Sequence, residues 1–325
     1  MAHERVNQTI TRPSPERARE PLSSRPSAWR IWFQAIRFSS FTASVMPILI
    51  AAALAIGEGE AAPQLVALML LAAVACHAGA NLANDYYDYR KGVDSDASLG
   101  PSKVIQRGLL SPAAVRTGML AAFGLATVLG LVVVALTNWI VLGLALASLA
   151  AAYFYTGGPR PLGYIALGEL TVFIFMGPVL IGGAFYVLTE TMTYDVLVVA
   201  AAMGFLVAAI LHANNMRDID LDRAAGKTTL ATLFGPRAAA NEYVALLLGA
   251  YLCIGLPPFF ETRQWPVLVT FLTLPVAWRL ARLAATNRDT LVLNRLLRGT
   301  AGLHLRVGVL LTMGLLVAAG IDRLG

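Results

Sequence analysis

Two clusters of carboxylate and amide side chains follow long apolar segments of the chain. The first is "NLANDYYDYRKGVDSD", residues 81–96, and the second is "HANNMRDIDLDRAAGKTTLATLFG", residues 212–235. In both clusters asparagines precede aspartates at spacings of three or four residues, which places the side chains along one face of a helix. Like-charged carboxylates this close repel each other and are poorly solvated at a membrane boundary, so the pattern indicates a bound cation.

The residues of these two faces define the predicted site. They are Asn81, Asn84, Asp85 and Asp88 in the first cluster and Asn215, Asp218 and Asp222 in the second. Oxygen ligands without cysteine favour a hard divalent ion, Mg²⁺ above all, which commonly shares phosphate oxygens with a substrate. We predict that the four aspartates are the metal ligands and catalytic residues, and that two Mg²⁺ ions bridge them to a diphosphate. The alternative is that the aspartates only cap helices and solvate loops, but two such clusters together favour the metal site.

Basic side chains near both clusters could neutralise such a diphosphate. Lys103 and Arg107 share a face in "PSKVIQRGLL", and Lys227 follows the second pair of aspartates. Their alternative role is to anchor the chain at the membrane surface.

A third polar stretch, "YFYTGGPRPLGYIALGEL", contains two glycines and two prolines that predict a rigid turn between two spans. It presents Tyr155 and Arg160 as predicted substrate contacts, followed by Glu169 inside the next span. A carboxylate there needs a partner or a cavity, so Glu169 is expected either in a polar pocket or in a helix–helix hydrogen bond. His77 precedes the first cluster, and His212 begins the second. Each is interpreted either as a buried, hydrogen-bonded histidine or as a base that takes a proton from a bound substrate.

Composition identifies the elements that must position these residues. The chain has 325 residues, of which 57% are hydrophobic and 14% are charged, and its mean hydropathy is +0.66. These values exclude an ordinary soluble protein and predict an all-α polytopic membrane protein. Nine spans are predicted at about 31–56, 64–85, 113–136, 138–156, 163–188, 194–216, 238–258, 265–283 and 301–321.

The links between spans are short, which predicts one transmembrane domain over residues 29–325. Residues 1–28 are polar and rich in Pro, Ser and Arg, which is typical of a disordered tail. The basic residues concentrate in the segments that carry the two clusters, so the positive-inside rule predicts that the N-terminus and the site are cytoplasmic. The net charge of +6 therefore reflects topology and does not indicate nucleic-acid binding.

The paired motifs "NDYYDYRKGVD" and "RDIDLD" resemble those of the UbiA superfamily of intramembrane aromatic prenyltransferases. The resemblance extends from about Arg37 to the end of the chain. It is greatest to the menaquinone branch, the 1,4-dihydroxy-2-naphthoate polyprenyltransferases. The broad family pattern places a third aspartate where this chain has Gly92, and the carboxylate is found at Asp94 instead, a shift that the menaquinone branch shares. The resemblance makes Asp94 a predicted substrate-binding residue.

The resemblance implies nine helices around a central cavity, in which a polyprenyl diphosphate binds with Mg²⁺. It implies transfer of the polyprenyl group to dihydroxynaphthoate with loss of CO₂ and diphosphate, giving demethylmenaquinone. Arg160 would then hold the naphthoate carboxylate. In a prokaryote the enzyme would lie in the inner (cytoplasmic) membrane. Two alternatives stay open: the same chemistry on another aromatic or chlorin acceptor, and an ion-coupled transporter, since acidic side chains in membranes often mark ion paths.

Overall fold

The computed structural model describes residues 26–93, 99, 102–260 and 262–322. Most of the predicted tail, together with Asp94, lies outside the described residues. The described chain is helical: α1 (Ala28–Ala35), α2 (Thr42–Gly57), α3 (Pro63–Lys91), α4 (Pro112–Leu136), α5 (Ile140–Phe154), α6 (Gly168–Thr189), α7 (Tyr194–Arg217), α8 (Ile219–Ala224), α9 (Leu230–Gly255), α10 (Gln264–Thr286) and α11 (Thr290–Asp322).

The prediction of a polytopic helical membrane protein is confirmed. Within the described residues, eight helical stretches are long and apolar enough to cross a membrane, and α5 is a ninth, shorter apolar helix. Large apolar side chains are exposed on outward faces, among them Leu120, Leu131, Leu252 and Trp278. Exposure of such side chains is expected where a helix faces lipid.

The first predicted span, 31–56, is not one continuous helix. The chain turns at Arg37, whose φ of 53° lies in the left-handed region, and this turn separates α1 from α2. Residues other than glycine rarely adopt this conformation. The turn therefore costs free energy, which surrounding contacts must offset. The side chain of Asn81 provides one of them, because its Nδ2 donates to the Ile36 carbonyl oxygen at 2.8 Å.

Helix α3 is longer than the predicted second span, which ended at residue 85. It continues to Lys91, so Asp85 and Asp88 lie on its last two turns, on a helix as their spacing predicted. Gly92 then ends the helix with φ of 69°, and the Val93 amide donates to the Asp88 carbonyl oxygen at 3.0 Å. Glycine is the residue best suited to this left-handed helix end.

Helix α7 lies at the centre of the molecule and is the most deeply buried of the membrane-length helices. It packs closely on α6, where a side chain at Gly177 would meet the Ala200 carbonyl oxygen at 2.5 Å and the Gly204 Cα at 2.7 Å. This contact brings two backbones together in the interior of the membrane domain. Helices α9 and α11 complete the surroundings of α7.

Candidate active site

One cavity is lined by residues of both acidic clusters. Its lining consists of Arg37, Asn84, Asp85, Asp88, Val93, Ser102, Lys103, Asn214, Arg217, Asp218, Leu221, Asp222 and Lys227. The four predicted aspartates therefore meet in a single site, although more than 100 residues of chain separate the two pairs. Four carboxylates and four basic side chains line this cavity, so its charges balance before any ligand binds.

Asp85 pairs with the arginine at the turn between α1 and α2. Arg37 Nη2 lies 2.7 Å from Asp85 Oδ1 and 2.6 Å from Asn84 Oδ1. The left-handed backbone at Arg37 thus has a consequence in the site, because it directs a cation onto the first acidic motif.

Asp88 is held by neutral donors. Asn84 Nδ2 donates to Asp88 Oδ2 at 2.8 Å, one helical turn along α3, and the Tyr164 hydroxyl donates to Asp88 Oδ1 at 2.5 Å. Hydrogen bonds to an ionised carboxylate are short and strong, so they fix the direction of its remaining lone pairs.

The second acidic motif begins where α7 ends. Arg217, the last residue of α7, donates from Nε to Asp218 Oδ1 at 2.7 Å and from Nη2 to Asp218 Oδ2 at 2.5 Å. The same guanidinium donates to Asn214 Oδ1 at 2.9 Å and to Asn294 Oδ1 of α11 at 3.0 Å. Asp218 is therefore part of a network that joins two helices.

Asp222 lies on the short helix α8, and Lys227 Nζ is 3.2 Å from its Oδ1. Burial raises the pKa of the Asp222 carboxyl, and Lys227 opposes this shift. A cation that approaches Asp222 would favour its ionised form in the same way.

Asp85 and Asp222 each keep one oxygen that the described protein does not satisfy. Asp85 Oδ2 and Asp222 Oδ2 are buried and have no hydrogen-bond partner among the described residues. A buried carboxylate oxygen without a partner is costly. Each acidic motif thus has one residue with such an oxygen in the lining of the same cavity, and these oxygen donors fit a hard divalent cation.

Two loops close around this site by pairing with each other. The Thr228 amide donates to the Tyr164 carbonyl oxygen at 3.1 Å, and the Ala166 amide donates to the Thr228 carbonyl oxygen at 2.9 Å. The Tyr164 ring also lies near two cations, Lys227 Nζ of the second loop at 5.7 Å and Lys91 Nζ at the end of α3 at 4.5 Å from the ring centroid. The third polar stretch of the sequence is therefore linked to both acidic clusters.

The structure separates the predicted basic residues into two groups. Lys103 and Lys227 line the cavity, whereas Arg107 and Arg160 are exposed and lie outside its lining. Lys103 is placed by a linker whose Val104 and Ile105 are buried. The shared helical face expected for Lys103 and Arg107 is absent, because residues 104–108 form turns.

Two predicted asparagines support the site from outside the cavity. Asn81 holds the turn that carries Arg37, and Asn215 Nδ2 donates to Glu169 Oε1 at 2.9 Å. Asn214, which the helical-face prediction omitted, lines the cavity in place of Asn215. Tyr155 also lies outside the lining; its ring packs against Gly163, where an added side chain would approach the ring at 3.2 Å.

Arg37 is the main functional residue that the sequence interpretation missed. It lies in the first predicted span, 44 or more residues before any acidic motif, and its role depends on an irregular turn. Arg217 and Tyr164 also contact the aspartates and are not among the predicted site residues. His77 is a hydrogen-bonded histidine, which was one of its two interpretations. Its ring nitrogens lie 3.2 Å from Ser40 Oγ and 2.7 Å from Ser44 Oγ.

Comparison with protein families gives a match over most of the chain. The model of the UbiA prenyltransferase family matches residues 44–297. Among curated proteins, a 1,4-dihydroxy-2-naphthoate octaprenyltransferase of Bacillus subtilis is 31% identical, with 90% of this chain and 94% of that protein covered. The corresponding protein of Mycobacterium tuberculosis is 35% identical, with 77% and 84% covered. The human UbiA prenyltransferase domain-containing protein 1 is 32% identical, with 94% and 88% covered.

Solved structures show the same fold. The apo structure of a UbiA homologue from Aeropyrum pernix superimposes with a TM-score of 0.65 at 20% identity and covers 87% of this chain and 98% of that one. A UbiA homologue from Archaeoglobus fulgidus, solved with DMAPP and Mg²⁺ bound, gives a TM-score of 0.60 at 16% identity, with 86% and 98% covered.

Proposed function

Because the chain belongs to the UbiA prenyltransferase family, we propose that it transfers a polyprenyl group from an allylic diphosphate to 1,4-dihydroxy-2-naphthoate. CO₂ and diphosphate leave, and the product is demethylmenaquinone in its reduced, quinol form. Family membership makes the chain a membrane-embedded prenyltransferase. We propose in addition its donor, its acceptor, its metal and the loss of CO₂.

The observation that carries the diphosphate site is that Asp85 and Asp222, which line one cavity, each have a buried oxygen, Oδ2, without a hydrogen-bond partner among the described residues. A cavity with both carboxylates and basic side chains suits a ligand that itself carries positive and negative charge. A Mg²⁺–diphosphate complex is such a ligand: its metal matches the aspartates and its phosphate oxygens match arginine and lysine. The A. fulgidus homologue, whose structure contains DMAPP and Mg²⁺, supports this choice.

The residues of this chain that would hold the metal are Asp85 and Asp88 on α3 and Asp218 and Asp222 at the end of α7 and on α8. When bound, Mg²⁺ supplies Lewis-acid stabilisation of the charge that develops on the leaving diphosphate. Asn84 and Tyr164 keep Asp88 oriented through their hydrogen bonds to its two oxygens. Asp94, outside the described residues, is proposed as a further contact.

The basic side chains of the cavity would exchange partners when the substrate binds. Arg37 now pairs with Asp85 and Lys227 with Asp222. If these aspartates turn to the metal, both cations become available to phosphate oxygens, together with Lys103, which lines the same cavity. The charge that develops on the diphosphate as its C–O bond breaks would then be stabilised by groups already in place.

Bond breaking leaves an allylic cation, which the electron-rich ring of the acceptor attacks. In dihydroxynaphthoate the new C–C bond forms at the carbon that carries the carboxylate. The electron pair of the C–CO₂⁻ bond returns to the ring as CO₂ leaves, so aromaticity is restored without an oxidant.

Two observations support dihydroxynaphthoate as the acceptor. The curated relatives from B. subtilis and M. tuberculosis bear the name of an enzyme that acts on it. This chain also has glycine at position 92 and the carboxylate at position 94, as the menaquinone branch does. Homogentisate, 4-hydroxybenzoate and a chlorin are the other acceptors to be tested.

The test uses membranes that contain the full chain, labelled isoprenyl diphosphates and this panel of acceptors, with mass spectrometry of the products. We expect a prenylated product from dihydroxynaphthoate that lacks the mass of CO₂. EDTA should stop the reaction and Mg²⁺ should restore it. A product from another acceptor alone would replace the acceptor, and turnover in metal-free buffer would reject the metal site.

We further infer that the site faces the cytoplasm, because basic residues concentrate in the segments at this end of the helices. Arg107, on an exposed turn beside the site, provides the test. Arg107→Cys should react with an impermeant maleimide only after the membrane is opened; labelling of intact cells would reverse the orientation.

A further inference from the structure

A buried polar cluster lies where α6, α7 and α9 meet, outside the cavity lining. Glu169 of α6 is 4% exposed and His212 of α7 is fully buried. His212 Nδ1 lies 2.9 Å from Glu169 Oε1, and Asn215 Nδ2 donates to the same oxygen at 2.9 Å. His212 Nε2 lies 2.8 Å from the Ala239 carbonyl oxygen and 3.7 Å from Glu242 Oε2.

This geometry indicates a buried pair of His212 and Glu169 that shares a proton. Each ring nitrogen of His212 faces only oxygen atoms, so one proton lies between Nδ1 and Glu169 Oε1 and another between Nε2 and the Ala239 carbonyl oxygen. Such a pair is expensive to bury, and replacement by apolar residues is often neutral or stabilising. Its presence in the interior of a membrane protein therefore suggests a positional role rather than a stabilising one.

The cluster connects the two halves of the active site. Glu169 follows Tyr164 by five residues, and Tyr164 donates to Asp88 of the first acidic motif. Asn215 precedes Asp218 of the second motif by three residues on the same stretch of chain. The two hydrogen bonds at Glu169 Oε1 thus join the start of α6 to the last turns of α7. The start of α6 follows the loop of Tyr164, which contacts Asp88, and the end of α7 leads into Asp218.

The contact between α6 and α7 does not depend on this cluster alone. Deeper in the helices, Gly177 and Gly204 bring the two backbones together, with 2.7 Å between an added side chain at Gly177 and the Gly204 Cα. Loss of the cluster should therefore loosen only the end of the contact that lies next to the cavity.

We propose that Glu169 is a positioning residue that fixes the start of α6 against the last turns of α7 and so sets the separation of Asp88 and Asp218. This inference rests on the proposed Mg²⁺–diphosphate site. The separation of the two motifs determines how well ions can bridge them, since metal ligands tolerate little displacement.

The test compares three substitutions with a matched control. Glu169→Leu removes both hydrogen bonds, Asn215→Ala removes one, and Glu169→Gln keeps an oxygen that can accept both. The control, Tyr243→Phe, removes an equally buried hydrogen bond, from the Tyr243 hydroxyl to Thr300 Oγ1 at 2.7 Å, between α9 and α11.

The readout is the shift in melting temperature that Mg²⁺ and geranyl diphosphate give to the purified full chain, measured against Mg²⁺ concentration. Prenyl transfer is measured in parallel. We expect Glu169→Leu to raise the Mg²⁺ concentration for half-maximal stabilisation by about tenfold, the value of a charged hydrogen bond. Asn215→Ala should raise it less, in the same direction, and carries the test if Glu169→Leu does not fold.

We expect Glu169→Gln to remain within about threefold of the wild type, and Tyr243→Phe to lower the melting temperature without changing the Mg²⁺ requirement. An unchanged Mg²⁺ requirement in Asn215→Ala and in any folded Glu169→Leu would overturn the proposal. So would a Glu169→Gln protein that binds Mg²⁺ normally but no longer turns over, because Glu169 would then act on a proton. A stoichiometric metal that is lost in His212→Ala would also overturn it. If the wild type itself shows no shift, the diphosphate site fails and this inference fails with it.

Discussion

The two halves of the active site position their aspartates by different means. In the first half, Asp85 and Asp88 lie on a continuous helix, and their partners other than Asn84 come from distant parts of the sequence: Arg37 is 48 residues and Tyr164 is 76 residues away. In the second half, Asp218 and Asp222 lie at a break between α7 and α8, and their partners Arg217 and Lys227 are one and five residues away.

The two halves therefore differ in rigidity. Arg217 is only 2% exposed and also binds Asn294, so the second half is part of the helical core. The Arg37 side chain is 21% exposed and extends from an irregular turn into the cavity. We therefore expect Arg37 and the first half to reorganise more when substrate binds, and Arg217 and Asp218 of the second half to stay in place.

The largest effects should come from removing one carboxylate from either half. Asp88→Asn and Asp222→Asn should each lower prenyl transfer by about 10³-fold or more, because each removes a charge that faces the metal. Transfer is measured in membranes, with size-exclusion chromatography to verify folding. Near-normal turnover in either variant would remove that half from the proposed metal site.

The two arginines should then behave differently. Arg37→Ala should reduce turnover by about a hundredfold, because it removes a cation from the cavity, with little change in melting temperature. Arg217→Ala should reduce both activity and stability, since loss of one member of a buried charge network costs about 3–5 kcal/mol. Thermal unfolding in detergent distinguishes them; equal destabilisation by both substitutions would contradict the assignment of rigid and adjustable halves.

Tyr164→Phe should have a smaller effect, confined to the first half. It removes one hydrogen bond to the Asp88 carboxylate, which is worth about 1.5–3 kcal/mol, so kcat/KM should fall by about ten- to a hundredfold. Lys91 and Lys227 would keep the ring between them. Unchanged kinetics would show that Asn84 alone is sufficient to orient Asp88.

The smallest effects should come from Lys103 and Arg107, two basic residues of the same linker, of which only Lys103 lines the cavity. Lys103→Ala should raise the KM for the isoprenyl diphosphate by about tenfold, because Lys103 lines the cavity. Arg107→Ala should leave KM within about twofold, as expected for an exposed charge. If the Arg107 variant is the more impaired of the two, the linker lies differently when substrate is bound.

Part of the site could be predicted from sequence because it depends on short segments of the chain. Spans, aspartate spacing and local cations such as Lys227 are properties of short segments, and they were predicted. Arg37 could not be found in this way, because its role depends on a break inside an apolar segment that composition predicts as one helix. Asn214 and Asn215 differ by one residue, which is a rotation of 100° around the helix, and only packing decides which of them faces the cavity.

The glycine at position 92 illustrates how sequence and structure complement each other. From sequence it was only a departure from a pattern of aspartates. In the structure it ends α3 in a left-handed conformation, which an aspartate adopts at greater cost. The helix end therefore gives a physical reason for glycine at this position.

The most direct measurement of the proposed site is the location of the metal itself. Crystals or grids of the full chain with Mn²⁺ and geranyl thiolodiphosphate, which does not ionise readily, would be examined for bound ions, by anomalous scattering in the case of crystals. We predict ions about 2.1 Å from oxygens of both acidic motifs, with the diphosphate between Asp85 and Asp222. Ions bound at one motif only, or a diphosphate held outside this cavity, would contradict the shared site.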